Sequence, residues 1–251
     1  MANSQTKRID LDKYEAAILD MDGVITRSAR AHMAAWKRMF DDYLRKWSER
    51  KGQKFSPFTE EDYYQYVDGK PRYEGAQSFL ASRGISLEYG SPEDPPEKES
   101  ICGLGNRKNQ YFREYLKNNG VESYQSTIDF INYLKSTNKR VAVISSSRNA
   151  KAVLEAARVS NLFHVVVDGV ISAELQLKGK PEPDIFLEAA KRLGVNPGRA
   201  IVIEDAISGV EAGRAGGFGL VIGINRSGEN TGLKDHGADI VLSDLSELRS
   251  G

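Results

Sequence analysis

Asp20 and Asp22 stand two residues apart in Asp20-Met21-Asp22-Gly23-Val24, directly after the apolar run Ala16-Ala17-Ile18-Leu19. Such a run reads as a short buried strand, and the glycine behind the acids marks a turn. If the strand continued regularly, both carboxylates would face the same side of it. One carboxylate there can attack phosphorus to give an aspartyl phosphate. Its neighbour can deliver or accept the proton of the leaving or attacking oxygen. The same residues also suit a plain acidic turn or a calcium loop, although EF-hand loops follow a helix and need a distant glutamate.

Three further groups stand at comparable places. Glu204 and Asp205 follow Ala200-Ile201-Val202-Ile203 and offer the hard oxygen ligands that magnesium prefers, beside substrate phosphate and water. Asp205 also suits the cap of a helix opening at Ala206. Ser145 follows Ile144 and leads into Ser146, Ser147, Arg148 and Asn149. Hydroxyls and backbone N–H groups near a helix start suit either an anion or a plain cap. Lys180 lies in Lys178-Gly179-Lys180-Pro181-Glu182-Pro183-Asp184, where the next proline biases it toward extended backbone. A nucleophilic carboxylate and the phosphate it attacks are both negative, and an ammonium would offset that repulsion. A solvated surface lysine is the other reading.

A parallel sheet would hold these groups together. Short apolar runs recur at 141–144, 165–167, 200–203, 220–222 and 240–242, most of them separated by helical patterns such as residues 183–193. That alternation predicts an α/β core, a Rossmann-like parallel sheet covered on both faces. Between residues 29 and 119 the strand-like runs nearly vanish. Residues 30–47 carry Met33, Trp36, Phe40, Tyr43, Leu44 and Trp47 near helical spacing, and 73–82 and 106–118 also read as helical. Gly90-Ser91-Pro92-Glu93-Asp94-Pro95-Pro96 reads as a loop. The expected organisation is a core of residues 1–29 and 120–251 with an inserted α-helical cap of residues 30–119. Ligands of open parallel sheets sit beyond the strands' carboxyl ends, where Asp20, Ser145, Lys180 and Glu204 all fall.

Composition narrows the field. In 251 residues, 40% are hydrophobic, and 35 basic residues balance 35 acidic ones, which gives no support to a nucleic-acid binder. Cys102 is the one cysteine, so an intrachain disulfide is impossible and a reducing, cytoplasmic setting is expected. No apolar run follows the positive charges of residues 1–8, and none approaches a membrane span of about 20 residues.

These groups, taken in order, resemble the four motifs of the haloacid dehalogenase superfamily, in the branch whose helical cap follows the first strand. The motifs are Asp20-Met21-Asp22-Gly23-Val24-Ile25-Thr26, Ile144-Ser145-Ser146-Ser147, Lys180-Pro181-Glu182-Pro183-Asp184 and Ile203-Glu204-Asp205-Ala206-Ile207-Ser208-Gly209. The resemblance spans residues 14–242. It implies Asp20 as nucleophile, Asp22 as acid and base, and Ser145 with Lys180 on the phosphoryl oxygens. It also implies magnesium, with Asp20, Asp22 (through its backbone carbonyl), Glu204 and Asp205 as the metal set. The family's dehalogenases and its phosphonate-cleaving branch lack the acid at the position of Asp22, so its presence points to C–O–P phosphoryl transfer.

Within that branch the chain is most similar to the β-phosphoglucomutases, and the similarity enters the cap. His32 and Trp36 match their pattern beyond the first strand. Arg72 matches a cap arginine that grips the distal phosphate, although its context Gly69-Lys70-Pro71-Arg72 differs. Lys108 and Asn109 match the cap lysine and its neighbour, and Ser147 and Asn149 match further phosphate contacts. Trp36 on an apolar face also suits simple packing, and Arg72 and Lys108 suit solvated charges. The expected partner is a small phosphorylated substrate, a sugar phosphate, with no nucleic acid and no membrane, bound by a monomer or weak oligomer. The competing readings are a phosphatase for a small monoester and a catalytically silent binding protein. A receiver domain would be about half as long, and Gly103-Leu104-Gly105 lacks the third glycine and the preceding strand of a dinucleotide site.

Overall fold

The computed structural model describes residues 7–250 apart from 69, 227, 229 and 230. Residues 1–6 and Gly69, read above, lie outside that set. By backbone proximity the chain divides into two compact units, Met1–Ser28 with Val121–Gly251, and Ala29–Gly120.

The first unit opens on β1 (Lys7–Ile9) and β2 (Ala16–Asp20). The second unit intervenes with α1 (Ala29–Lys51), α2 (Glu60–Asp62), α3 (Arg72–Ser82) and α4 (Ile101–Asn119). The first then resumes with α5 (Gln125–Ser136), β3 (Arg140–Ile144), α6 (Ala150–Ala156), β4 (Val165–Val167), α7 (Gly169–Glu174) and α8 (Asp184–Leu193). It closes with β5 (Ala200–Glu204), α9 (Ile207–Ala215), β6 (Leu220–Ile224), β7 (Ile240–Leu242) and β8 (Leu248–Ser250).

β2 to β7 form one parallel sheet in the order β4-β3-β2-β5-β6-β7, so the expected α/β core with an inserted helical segment is the observed fold. Every residue of β2 and β5 is buried. Strands covered on both faces need apolar residues on both, which is why they read as continuous apolar runs. After β2 the chain builds β3 and β4 to one side, then returns to lay β5 on the other. The strand order therefore reverses beside β2, and its carboxyl end faces the crevice such a reversal opens. Asp20 is the residue placed there. β1 and β8 form a separate parallel pair, with Lys7 opposite Leu248.

The helical unit is organised by α1 lying along α4. Trp36, Met39, Phe40, Tyr43 and Leu44 repeat at helical spacing and pack against Phe79 and Leu80 of α3 and Ile101 and Leu104 of α4. The Phe40 and Phe79 rings lie 4.2 Å apart. Ser100 caps α4, its hydroxyl accepting from Gly103 N–H at 3.0 Å. The proline-rich loop before α4 is held by the Asp94 carboxylate, which accepts from Ser100 Oγ at 2.6 Å and Ser91 N–H at 3.1 Å.

Candidate active site

Strand β2 ends on Asp20, and the chain does not continue extended to Asp22. It turns, and the Asp22 N–H donates back to Asp20 Oδ2 at 2.9 Å. The regular continuation that would have set both carboxylates on one side of a strand is therefore not made. A turn replaces the strand, closed by Gly23 N–H to Thr26 O at 2.9 Å. Gly23 sits at φ +81°, and a Cβ there would overlap the Asp205 carboxylate. Only glycine meets both demands. Asp22 Oδ1 accepts from the buried Ser28 hydroxyl.

Lys180, from the loop before α8, donates to Asp20 Oδ1 at 2.5 Å and to Glu204 Oε1. Glu204, the last residue of β5, is fully buried, and its Oε2 accepts from Asp205 N–H at 2.7 Å and Ala206 N–H at 2.8 Å. The cap foreseen for Asp205 is thus not made. Helix α9 starts at Ile207 with Ala206 as its N-cap residue and no side-chain cap, and Glu204 receives the two N–H groups before it. Ser145 follows β3, whose Ile144 pairs with Asp20, so the serine lies one residue beyond the nucleophile candidate on the adjoining strand. Its hydroxyl accepts from Ser147 N–H at 3.1 Å, and Ser147 Oγ accepts from Asn149 N–H at 3.1 Å.

The electrostatics follow from crowding. Burial pushes the Asp20 carboxyl up to about 7 against the pull of Lys180, with Glu204 and Asp22 adding to the rise. Burial also raises Asp205 well above its usual value, and Glu204 and Asp20 add to it. Burial works against the Lys180 charge, yet Asp20 and Glu204 together raise its pKa. Several carboxylates thus share one ammonium.

In the helical unit, His32 and Trp36 lie one turn apart on α1, as Lys108 and Phe112 do on α4. Lys108 Nζ contacts His32 Nδ1 at 2.8 Å and stands 5.0 Å from the Trp36 ring and 4.9 Å from the Phe112 ring. The His32 ring stacks on Phe112 at 4.2 Å. Burial, then Lys108 and Arg72, lowers the His32 pKa well below its usual value, so the ring is neutral and accepts at Nδ1. Trp36 is 4% exposed and stacks on Phe40, which makes it a packing residue whose ring also faces Lys108. Arg72 donates to Asn109 Oδ1 at 3.2 Å and Asn106 Oδ1 at 3.4 Å.

The family model for the haloacid dehalogenase-like hydrolase matches residues 14–217. The chain belongs to this haloacid dehalogenase-like hydrolase family. It is 46% identical to a β-phosphoglucomutase of Mycobacterium bovis over 94% of this chain and 92% of the relative. It is 32% identical to the Bacillus subtilis β-phosphoglucomutase over 93% and 91%. The solved β-phosphoglucomutase of Clostridium difficile superposes with a TM-score of 0.68 at 26% identity, covering 94% of this chain and 93% of that one. As a haloacid dehalogenase-like protein with these relatives, the chain is an enzyme of phosphoryl transfer or phosphate hydrolysis, acting on a small phosphorylated substrate. Its family uses a divalent metal.

The residues present fit such an ion. Asp20 and Asp205 are hard carboxylates in a site with surplus negative charge, which a divalent cation would relieve. Among the described residues, no three acidic, histidine or cysteine side chains gather into a cage. Of the expected metal set, Glu204 accepts from Lys180 through one oxygen and from the Asp205 and Ala206 N–H groups through the other. Asp22 turns its carboxylate to Ser28. Sequence reasoning does not single out Ser28, because a lone serine six residues past Asp22 carries no signal until the turn folds it back. The Lys180 contact of Glu204 had one available signal, an acid closing a fully apolar strand. Among the described residues, no helix is long and apolar enough to cross a membrane.

Proposed function

We propose that this protein is a magnesium-dependent β-phosphoglucomutase, converting β-glucose 1-phosphate to glucose 6-phosphate through an aspartyl phosphate on Asp20. The observation that carries this reading is the 46% identity to a β-phosphoglucomutase across 94% of the chain, helical unit included. In this reading an Asp20 oxygen attacks phosphorus while the bond from phosphorus to the sugar oxygen breaks. Asp22 gives that oxygen its proton. In the return step a sugar hydroxyl attacks the phosphoaspartate and Asp22 takes the proton back. Ser145 and Lys180 hold the phosphoryl oxygens, with Ser147 and Asn149 behind them. Glu204 keeps Lys180 in place. Asp20, Asp205 and the Asp22 backbone carbonyl would hold magnesium, which offsets the negative charge that builds on the phosphoryl oxygens. Arg72 and Lys108 take the far phosphate of the bisphosphorylated sugar, with His32, Trp36 and Asn109 as their surroundings.

The test is product analysis with β-glucose 1-phosphate, magnesium and a trace of the corresponding bisphosphate. Glucose 6-phosphate should accumulate, and a chelator should stop it. Free phosphate without isomerisation would replace this reading with that of a monoester phosphatase, which shares every core residue named here.

A further inference from the structure

The turn behind Asp20 is gripped from outside. Gly23 O accepts from Arg226 Nε at 3.1 Å, Val24 O from Thr127 Oγ1 at 2.7 Å, and Ile25 O from Tyr124 N–H at 2.9 Å. Thr127 and Tyr124 sit at the start of α5. Arg226 comes from the loop after β6, and its own position is fixed twice. Its guanidinium carbon lies 3.4 Å from the Tyr124 ring centroid, and its Nη1 donates to Asp244 Oδ2 at 2.7 Å. The Asp244 carboxylate is pinned in turn by Ser126 Oγ at 2.7 Å and Ser246 N–H at 2.9 Å. Although burial opposes it, these donors hold the Asp244 carboxyl well below its ordinary range. The carboxylate therefore stays charged as an anchor for Arg226. A guanidinium presents its N–H groups in one rigid plane. Stacked on Tyr124 and tied to Asp244, Arg226 keeps its Nε–H aimed at Gly23 O.

We propose that Arg226 is a positioning residue for Asp22. It fixes the peptide that follows Gly23, and through that glycine the carboxylate one residue earlier, so that Asp22 meets the oxygen leaving phosphorus. In that step the bond from phosphorus to oxygen breaks as Asp20 bonds to phosphorus, and the Asp22 proton moves to the departing oxygen. The inference rests on the reading of Asp22 as proton carrier, and the experiment separates the two.

An alkoxide must be protonated to leave, whereas p-nitrophenolate leaves without help. A misplaced acid therefore slows an alkyl phosphate selectively, which a general loss of structure would not do. The measurement is kcat/KM for phosphate release with magnesium, since this constant reports steps only up to the departure of the leaving group. Parent, Asp22→Asn, Arg226→Ala and Arg226→Lys are compared on glycerol phosphate and p-nitrophenyl phosphate. Asp22→Asn should lose activity selectively on the alkyl ester. Arg226→Ala should follow it with a loss of about 10- to 100-fold, the cost of a displaced catalytic group, and stay near the parent on the aryl ester. Arg226→Lys keeps the charge without the rigid fork and should show the same pattern at smaller size. It carries the test alone if the alanine variant does not fold. Added methylguanidinium should restore part of the lost activity to Arg226→Ala. Equal losses on both esters in the Arg226 variants, beside a selective Asp22→Asn, would overturn the role of Arg226 alone. An unselective Asp22→Asn would overturn the proton-carrier reading and this inference with it.

Discussion

Two lysines are buried in this protein by opposite means. Lys180 has its ammonium between Asp20 and Glu204, with a side chain 12% exposed. Lys108 is 5% exposed and lies against the neutral His32 ring and the faces of Trp36 and Phe112. Carboxylates fix an ammonium strongly and cancel its charge locally. Aromatic rings attract it by about 0.5–2 kcal/mol without cancelling it. The first arrangement fixes the carboxylate of Asp20, the nucleophile of the proposed mechanism. The second sets an ammonium against a neutral ring and two aromatic faces, and in the proposed reading it meets the far phosphate together with Arg72, whose charge also shifts His32.

The largest expected effect breaks the first arrangement at its centre. Asp20→Asn should lower turnover at least about 1,000-fold, as loss of a covalent nucleophile does, with an unchanged circular dichroism spectrum. Turnover near the parent rate in a clean preparation would remove Asp20 from that role. Lys180→Met tests the burial itself. It leaves Asp20 and Glu204 facing each other without their cation, and removing one partner of a buried pair costs about 3–5 kcal/mol. Lys108→Met keeps an apolar stem among the rings and should cost about 2 kcal/mol or less. Equal destabilisation of the two variants in urea would show that the lysines are held alike.

How much of this was legible follows the physics of each part. The sheet strands announce themselves because burial on both faces demands unbroken apolar runs, and Val165–Val167 or Ile240–Leu242 can be little else in an α/β pattern. The start of α4 was hidden. Residues 106–118 read as helical, while the helix opens at Ile101, because Gly103 and Gly105 look like breakers. They are there for close approach: a Cβ on Gly103 would overlap the Lys98 carbonyl, and one on Gly105 would meet the Tyr73 ring. The β1 and β8 pair could not be foreseen, since three-residue strands from opposite ends of the chain carry no local signal. At the site, spacing identifies which acids stand at strand ends but not where each oxygen points. That is why the sequence offers Glu204 for the metal set but not its contact with Lys180, which only the fold brings about.

The second arrangement is tested through Arg72. Its hydrogen bonds to Asn106 and Asn109 orient the guanidinium. A charge-assisted bond to a phosphate is worth about 1.5–3 kcal/mol, so Arg72→Ala should lower the mutase kcat/KM about 10- to 100-fold. Hydrolysis of a small ester with no second phosphate should barely change. Equal losses on both substrates would mean that Arg72 serves packing, and the contrast between the two lysine sites would lose its functional half.

The smallest effect concerns the charge state on which the Lys108 site depends. His32 has its pKa lowered well below 6.5 by burial, with Lys108 and Arg72 adding to the effect. Between the folded value and about 6.5 the unfolded chain binds the extra proton, so stability rises with pH through that window and levels off above it. Acidification below about pH 6.5 should therefore cost the helical unit up to about 1.4 kcal/mol per pH unit from this one group. His32→Asn keeps an acceptor for Lys108 but does not titrate. The raised carboxyls at Asp20 and Asp205 work in the opposite direction, so the informative quantity is the parent minus variant difference. Both tryptophans of the chain, Trp36 and Trp47, lie on α1, so their fluorescence in urea reports the helical unit alone. The parent's advantage should shrink steadily as the pH falls from about 7 to 5. An advantage that stays constant over that range would mean His32 can accept its proton in place, and the ammonium of Lys108 would then lie against a second positive charge.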